Sequence, residues 1–152
     1  MSKIIISDDL IELDLGAGSK EEVIHTLSDR MLARDLVKEN YAGNVLRREK
    51  EFPTGLPTSI PVALCHTEAE FVLESALAVA TLKNPLEFSQ MGSLEKKVQA
   101  EIVFLLALKD PKKQVPWLQK MMNVFKDKDT LQKIRYSENK QELASYLQRV
   151  FE

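Results

Sequence analysis

The chain has 152 residues, 44% of them hydrophobic, and 21 Lys+Arg against 23 Asp+Glu give a net charge of −2. This length supports one hydrophobic core, and the near-neutral charge argues against nucleic-acid or membrane-surface binding. The longest apolar run, residues 102–108, is far too short to span a bilayer, and no signal peptide is expected. One cysteine and two histidines exclude an internal disulfide and a dense metal site, which favours a reduced cytoplasmic protein.

The N-terminal segment is predicted to be extended and then helical. Three isoleucines at 4–6 and the apolar/acidic alternation over 11–15 are typical of strands. After glycines at 16 and 18, Ser19 and Glu22 form a capping-box pattern that predicts a helix start. Apolar residues then recur at helical spacing in a first predicted helix, through Val23, Leu27, Met31 and Leu32. A second short helix is predicted to hold Tyr41, Val45, Leu46 and Glu49.

The middle of the chain is predicted to hold a stiff loop and three strands. Three prolines and a glycine over 52–61 exclude a regular helix and a central strand. Residues 62–64 and 76–80 are candidate strands. The continuous apolar run over 102–108 is typical of a strand that is covered on both faces.

The C-terminal third is predicted to form two helices. Asp110 as N-cap and Pro111 at the first position start one of them. The last helix is expected to be capped by Ser137. The apolar faces expected are Val115, Leu118, Met122 and Phe125 in the first of these helices, and Leu143, Tyr146, Leu147, Val150 and Phe151 in the second. Short strands interspersed with amphipathic helices predict an α/β domain, a central sheet with helices on its faces, over residues 1–152.

His66 is the residue most suited to carry chemistry. It follows the apolar segment 62–65 and precedes a polar stretch, so it lies where a strand ends, as functional groups of α/β sheets often do. A neutral imidazole has a nitrogen lone pair and can act as a nucleophile. The alternative is a histidine that is hydrogen-bonded to loop backbone, and spacing alone does not separate the two.

The other reactive residue types favour structural interpretations. His25 is expected on the surface of the first helix. Cys65 next to His66 suggests a Cys–His pair, but neighbours in an extended segment point to opposite faces, so a small buried hydrophobe is favoured. Basic residues flank the loop and the apolar strand, and they are either solvated or bind a negatively charged group (Arg47, Arg48, Lys50, Lys109, Lys112 and Lys113).

Two motifs, one after the other along the chain, resemble those of a known protein family. Residues 48–56 read REKEFPTGL and residues 60–68 read IPVALCHTE. These motifs resemble the enzyme IIA domains of the sugar phosphotransferase system, fructose/mannitol type, and look most like the galactitol-specific branch. The similarity runs from about residue 20 to the carboxyl terminus, and it implies a mixed central sheet flanked by helices on both faces.

The resemblance implies a phosphocarrier. The family's phosphorylated histidine falls on His66, which would accept a phosphoryl group from phospho-HPr and pass it to a cysteine of a cognate IIB component, itself coupled to the membrane IIC component. No metal, nucleotide or other cofactor is implied, and no nucleic acid or membrane insertion. The family's active-site arginine falls on Arg48, whose guanidinium suits phosphate oxygens. Backbone N–H groups of Thr54 and Gly55 are expected to add donors.

Two residues depart from the family pattern. Cys65 stands where the family commonly has proline directly before the histidine, so the fixed φ of proline is lost. Lys112 stands at the position of a second active-site histidine. A lysine can supply positive charge toward a phosphate but cannot accept a hydrogen bond. Lys112 is therefore either an assisting residue or a solvated residue at a helix start.

The leading hypothesis is a phosphocarrier of sugar-alcohol uptake, with galactitol as the substrate inferred from the branch. A second is a regulatory phosphoprotein of the nitrogen type, which signals by docking on other proteins. A third is an interaction module without phosphoryl turnover, favoured by the departures at Cys65 and Lys112. An unrelated hydrolase built on Cys65 and His66 ranks last because no third orienting group follows at recognisable spacing.

Overall fold

A computed structural model describes residues 4–151. Within them, the strands are β1 (Ile11–Leu15), β2 (Gly55–Leu56), β3 (Val62–Cys65), β4 (Ala76–Ser89) and β5 (Lys97–Ala107). The α-helices are α1 (Lys20–Ala33), α2 (Tyr41–Glu51), α3 (Gln114–Val124), α4 (Lys128–Arg135) and α5 (Lys140–Phe151), and short 3₁₀ turns lie at Asp8–Leu10, Ala69–Phe71 and Pro111–Lys113. No helix of this described part is long and apolar enough to cross a membrane.

The strands form one mixed sheet in the order β1-β4-β5-β3-β2. β1 runs parallel to β4 and β3 parallel to β5, whereas β4 with β5 and β2 with β3 are antiparallel. The connection from β1 to its parallel neighbour β4 includes α1 and α2, which cover one face of the sheet, whereas α3, α4 and α5 follow β5 and cover the other face. The predicted α/β fold with a mixed central sheet is confirmed.

The sheet separates two apolar layers. Alternate residues of β5 face opposite sides, so Val103 and Leu105 pack with α1 and α2, whereas Phe104 and Leu106 pack with α3, α4 and α5. All four side chains are at most 1% exposed. The continuous apolar run is therefore a central strand covered on both faces, as predicted.

The helix-start signals are mostly confirmed. The Ser19 hydroxyl accepts a hydrogen bond from the Glu22 amide at 3.1 Å, as the capping box predicts. The Asp110 carboxylate accepts from the Lys112 amide at 2.9 Å, although the first residues after it form a 3₁₀ turn that leads into α3. The prediction of Ser137 as the last cap is wrong, because the Asn139 side chain accepts from the Glu142 amide at 2.9 Å.

The predicted apolar face of α3 is partly correct: Phe125 is buried, but the predicted Leu118 and Met122 are only partly buried against the core. Val115 is 64% exposed, and the buried positions are Trp117, Met121 and Phe125. Residues 117–118 and 121–122 are adjacent apolar pairs, so two stripes of helical spacing exist side by side. Helical periodicity alone therefore does not determine which of these two stripes packs against the sheet.

Four segments differ from the sequence predictions. The isoleucines at 4–6 form no strand: Ile5 makes an isolated bridge to Ala76. The stiff loop contains the two-residue edge strand β2, which pairs with β3. β4 continues well beyond residue 80 because a register shift between Thr81 and Leu86 absorbs Pro85, as bulges do. The short helix α4 was not predicted; the Asp127 side chain caps it.

Gly55 has a packing requirement that can be tested. A Cβ at this position would lie 2.7 Å from the Ser89 carbonyl oxygen and 3.2 Å from the Cβ atoms of Phe88 and Val98, because β2 crosses close to the β4–β5 hairpin. Gly55→Ala is expected to lower the free energy of unfolding by about 2 kcal/mol in a denaturant titration.

Gly43 provides the matched control. Apart from the adjoining backbone of α2, no atom of the described chain lies within 4 Å of the place that a Cβ would take at this position. Gly43→Ala should raise the free energy of unfolding by about 0.5–1 kcal/mol, as alanine does in a helix interior. Equal effects of the two substitutions would contradict the packing explanation.

Candidate functional site

The site lies at one edge of the sheet, where β3 and β5 end side by side. Because these strands are parallel, the segments that follow them meet at the same edge. His66 directly follows β3, and the side chain of Gln114, the first residue of α3, donates to the Thr67 carbonyl at 2.7 Å. The last turn of α2 brings Arg48 to the same edge.

The imidazole of His66 is held in one tautomer. His66 is 7% exposed, and its Nδ1 lies 3.2 Å from the carbonyl oxygen of Leu64. A carbonyl can only accept, so Nδ1 carries the proton and Nε2 keeps the lone pair in the neutral ring. The backbone hydrogen bond that was the alternative interpretation is thus present, and it leaves one nitrogen unprotonated.

Burial lowers the pKa of His66 below its usual value of about 6.5. The hydrogen bond to Leu64 acts in the opposite direction, the charge of Arg48 lowers the pKa further, and the carboxylate of Glu68 raises it. The neutral, nucleophilic form therefore prevails at pH 7. The same shift makes the fold less stable as the pH falls below about 6.5, because the unfolded chain binds a proton that the folded site resists.

The guanidinium of Arg48 has N–H donors that find no hydrogen-bond acceptor among the described residues. Its Nη1 lies 3.7 Å from Glu68 Oε1, beyond hydrogen-bond distance, and its guanidinium lies 5.3 Å from the centre of the Phe52 ring. Its Nε is buried without a hydrogen-bond partner. A buried donor without an acceptor is costly, so this arrangement suits an anionic ligand. Arg47, Arg48, Glu51, Phe52 and Glu68 line a small cleft here, with a volume of about 60 Å³.

Glu68 is fixed by its neighbour in the chain. Its Oε2 accepts a short hydrogen bond from the Thr67 hydroxyl, and this bond, more than the charges of Arg48 and Arg47, lowers the pKa of Glu68. The carboxylate is half-exposed, whereas Thr67 is buried. Glu68 therefore stays ionised beside Arg48 and is accessible from outside.

The expected role of the Thr54 amide as a phosphate donor is wrong. The Thr54 N–H donates to Glu49 Oε2 at 2.8 Å, and the Thr54 hydroxyl donates to Glu49 Oε1 at 2.7 Å. Burial raises the pKa of Glu49, which is 4% exposed, while both Thr54 bonds favour its charged form. The loop is thus held from inside by a carboxylate.

The remaining reactive residues are placed as follows. His25 is exposed on α1, as expected. Cys65 is 0% exposed, and burial together with the charge of Glu49 raises the pKa of its thiol well above the usual range. A buried, protonated thiol is a poor nucleophile, which agrees with the structural interpretation of Cys65 and argues against the hydrolase. Lys112 is exposed in the turn before α3, two residues from Gln114.

Three polar residues of the site, Glu49, Glu68 and Gln114, were not singled out from the sequence. Glu49 had a signal: it is a charged residue at an apolar-stripe position of α2, where a carboxylate needs buried partners. Glu68 belongs to the motif after His66. For Gln114 we find no sequence signal, because its contact with Thr67 joins residues that are distant in the chain.

The fold defines a class of proteins. Enzyme IIAMTL of Escherichia coli, solved in complex with phosphorylated enzyme IIBMTL, superposes with a TM-score of 0.73 and 20% identity over 95% of this chain and 99% of that chain. The mixed sheet with helices on both faces is thus the architecture of the mannitol-type IIA proteins.

The chain belongs to the family "Phosphoenolpyruvate-dependent sugar phosphotransferase system, EIIA 2", which matches residues 4–150. Members are phosphotransferase components that use a phosphohistidine intermediate. Over 100 residues the chain is 34% identical to the transcriptional regulator ManR of Bacillus subtilis, covering 66% of this chain but 14% of that protein. It is 25% identical over 114 residues to the galactitol-specific EIIA component of Escherichia coli, covering 74% and 75% of the two chains.

The charges of Arg48 and Glu68 shift the pKa of His66 in opposite directions. Arg48→Gln removes a positive charge and should raise the pKa of His66, whereas Glu68→Gln removes a negative one and should lower it. An NMR titration of the imidazole signals measures both shifts, with His25→Gln to assign the resonances. Arg30→Gln, on α1, is the control and should leave the pKa of His66 unchanged. Shifts of the same sign in the two site variants would contradict this electrostatic arrangement.

Proposed function

We propose that His66 accepts a phosphoryl group from phospho-HPr and passes it to a cysteine of a cognate IIB component. The observation that carries this proposal is the hydrogen bond from His66 Nδ1 to the Leu64 carbonyl, which leaves the Nε2 lone pair as the nucleophile. Membership in a phosphohistidine family supports it. The lowered pKa of His66 supports it as well, because a protonated ring has no lone pair to offer.

The chemical step needs few groups. Nε2 attacks the phosphorus atom, the Nε2–P bond forms, and the bond from phosphorus to the donor atom breaks with its electron pair remaining on that atom. The transferring group carries negative charge on its three equatorial oxygens. Arg48, with a buried and unpartnered Nε, neutralises that charge. Transfer to the IIB cysteine is a second displacement of the same kind, in which sulfur attacks phosphorus and Nε2 keeps the electron pair of the broken bond.

Lys112 has a secondary place in this proposal. Its turn leads into α3, whose first side chain contacts Thr67 next to His66. The exposed ammonium supplies positive charge toward the bound phosphoryl group from the solvent side. Its contribution is smaller than that of Arg48 because solvent screens an exposed charge.

The relatives support a proposal for the acceptor and the sugar. The mannitol-type structure was solved with a phosphorylated IIB partner, and the galactitol-specific EIIA component matches three-quarters of this chain. We infer a cognate IIB acceptor, coupling through it to a membrane IIC component, a cytoplasmic location, and a sugar alcohol as the transported substrate, with galactitol as the first choice.

A second function is favoured by one observation, the 34% identity to part of ManR, a transcriptional regulator. In this alternative His66 is phosphorylated in the same way, but the phosphoryl group controls docking on another protein instead of feeding transport. The two functions share the site and differ in the fate of the phosphoryl group.

The transfer reaction tests the site. Incubated with phosphoenolpyruvate, enzyme I and HPr, the wild-type protein should become labelled at an acid-labile, base-stable position. His66→Gln should abolish labelling, and Arg48→Gln should slow it about 100-fold because the equatorial oxygens lose their main cation. Lys112→Gln should slow it only about threefold. His25→Gln is the control and should label at the wild-type rate; labelling of His66→Gln would overturn the proposal.

The fate of the label separates the two functions. Added galactitol-type IIB should remove the phosphoryl group within the assay time, and mannitol-type IIB should remove it more slowly. Retention of the label with both IIB proteins would exclude the transport role and favour the regulatory one.

A further inference from the structure

One backbone hydrogen bond that is expected between β2 and β3 is replaced by a side-chain hydrogen bond. The register pairs Gly55 with Ala63 and Leu56 with Val62, so Thr54 lies opposite Leu64. The Leu64 N–H donates to the Thr54 carbonyl at 3.4 Å, which makes these two residues a hydrogen-bonded pair. In an antiparallel ladder the members of such a pair exchange both N–H···O bonds. The Thr54 N–H would therefore be expected to donate to the Leu64 carbonyl.

Glu49 takes that donor instead. The Thr54 N–H lies 2.8 Å from Glu49 Oε2, and the Thr54 hydroxyl holds the other carboxylate oxygen at 2.7 Å. The Leu64 carbonyl is thereby released from the ladder, and it accepts the Nδ1–H of His66 at 3.2 Å. The carbonyl two residues before the histidine thus receives the imidazole Nδ1–H in place of the Thr54 N–H.

The location of Glu49 is costly and calls for a reason. The residue is 4% exposed, and a buried carboxylate destabilises a fold unless its charge is well solvated by donors. Thr54 provides two donors, but an apolar side chain on α2 would fill the same space without that cost. The burial of the carboxylate therefore calls for a role beyond packing.

We propose that Glu49 is a positioning residue for His66: by binding the Thr54 N–H it frees the Leu64 carbonyl to hold Nδ1–H, and so presents Nε2 to the phosphorus atom. The tautomer part of this inference concerns the unphosphorylated protein, whereas its kinetic part rests on the function proposed above. When the Nε2–P bond forms, the ring becomes positively charged. Nδ1–H stays bonded to the Leu64 carbonyl, which stabilises that charge.

The tautomer is measured directly by ¹⁵N NMR of the imidazole in the unphosphorylated protein, since protonated and unprotonated ring nitrogens resonate far apart. Wild type should show a protonated Nδ1 and an unprotonated Nε2 for His66. In Glu49→Ala the Thr54 N–H returns to the Leu64 carbonyl, so the ring should become a mixture of both tautomers. The labelling rate should fall about tenfold, the effect of losing one hydrogen bond.

Three variants sharpen the test. Thr54→Val removes the hydroxyl but keeps the N–H bond to Glu49, so the His66 tautomer should be retained. Glu39→Gln changes an exposed glutamate just before α2 and should change neither the tautomer nor the rate. Glu49→Leu fills much of the same space without an acceptor for the Thr54 N–H, so it should show the same mixture of tautomers as Glu49→Ala. It also carries the test if the alanine variant does not fold.

The outcomes distinguish a positioning role of Glu49 from a purely structural role. A wild-type tautomer in a folded Glu49→Ala or Glu49→Leu variant would overturn the inference, even if the labelling rate falls, because the residue would then act only structurally. A wild type that shows Nδ1–H but never becomes labelled would refute the phosphocarrier function. In that case the tautomer measurements still decide whether Glu49 positions His66.

Discussion

The site depends on one hydrogen bond, from His66 Nδ1 to the carbonyl of the residue two positions before it. This bond sets the tautomer, and the tautomer decides which nitrogen keeps its lone pair, the nitrogen that attacks phosphorus in the proposed function. The Leu64 carbonyl is fixed because β3 is paired on both sides, by β5 and by β2. A loop carbonyl would hold the ring less firmly, so the nucleophile depends on the sheet behind it.

The electrostatics around the ring are arranged to keep it neutral and to receive an anion. Burial lowers the pKa of His66, and the charge of Arg48 adds to this shift. In the proposed function the same guanidinium would also neutralise the incoming oxygens. Glu68 partly balances that guanidinium at 3.7 Å. Because this contact is longer than a hydrogen bond, the donors of Arg48 remain available to a phosphoryl group.

The sequence predicted those parts of the molecule whose signals are local. The end of β3 before His66, the capping of α1 at Ser19 and the burial of β5 follow from neighbouring residues, and the structure confirms them. The extent of β4 was missed because exposed polar residues and Pro85 interrupt its apolar pattern at a bulge. In the site, the contact of Gln114 with Thr67 joins segments that are distant in the chain, which no local pattern records. For Glu49 the sequence marks a carboxylate at an apolar position but does not identify Thr54 as its partner.

The two departures from the family pattern are explained differently by the structure. Cys65 continues β3 and packs against the α1 and α2 side, so backbone pairing to β5 fixes the segment that a proline would otherwise stiffen. Lys112 lies on the exposed rim, where a cation acts through solvent. The histidine thus follows a strand whose backbone is held by pairing on both sides.

The most direct measurement is a ¹⁵N–³¹P NMR coupling experiment on the phosphorylated protein with labelled histidines. The account predicts that phosphorus couples to Nε2 of His66, while Nδ1 remains protonated and hydrogen-bonded. Phosphorus on Nδ1, or on any residue other than His66, would contradict the central claim.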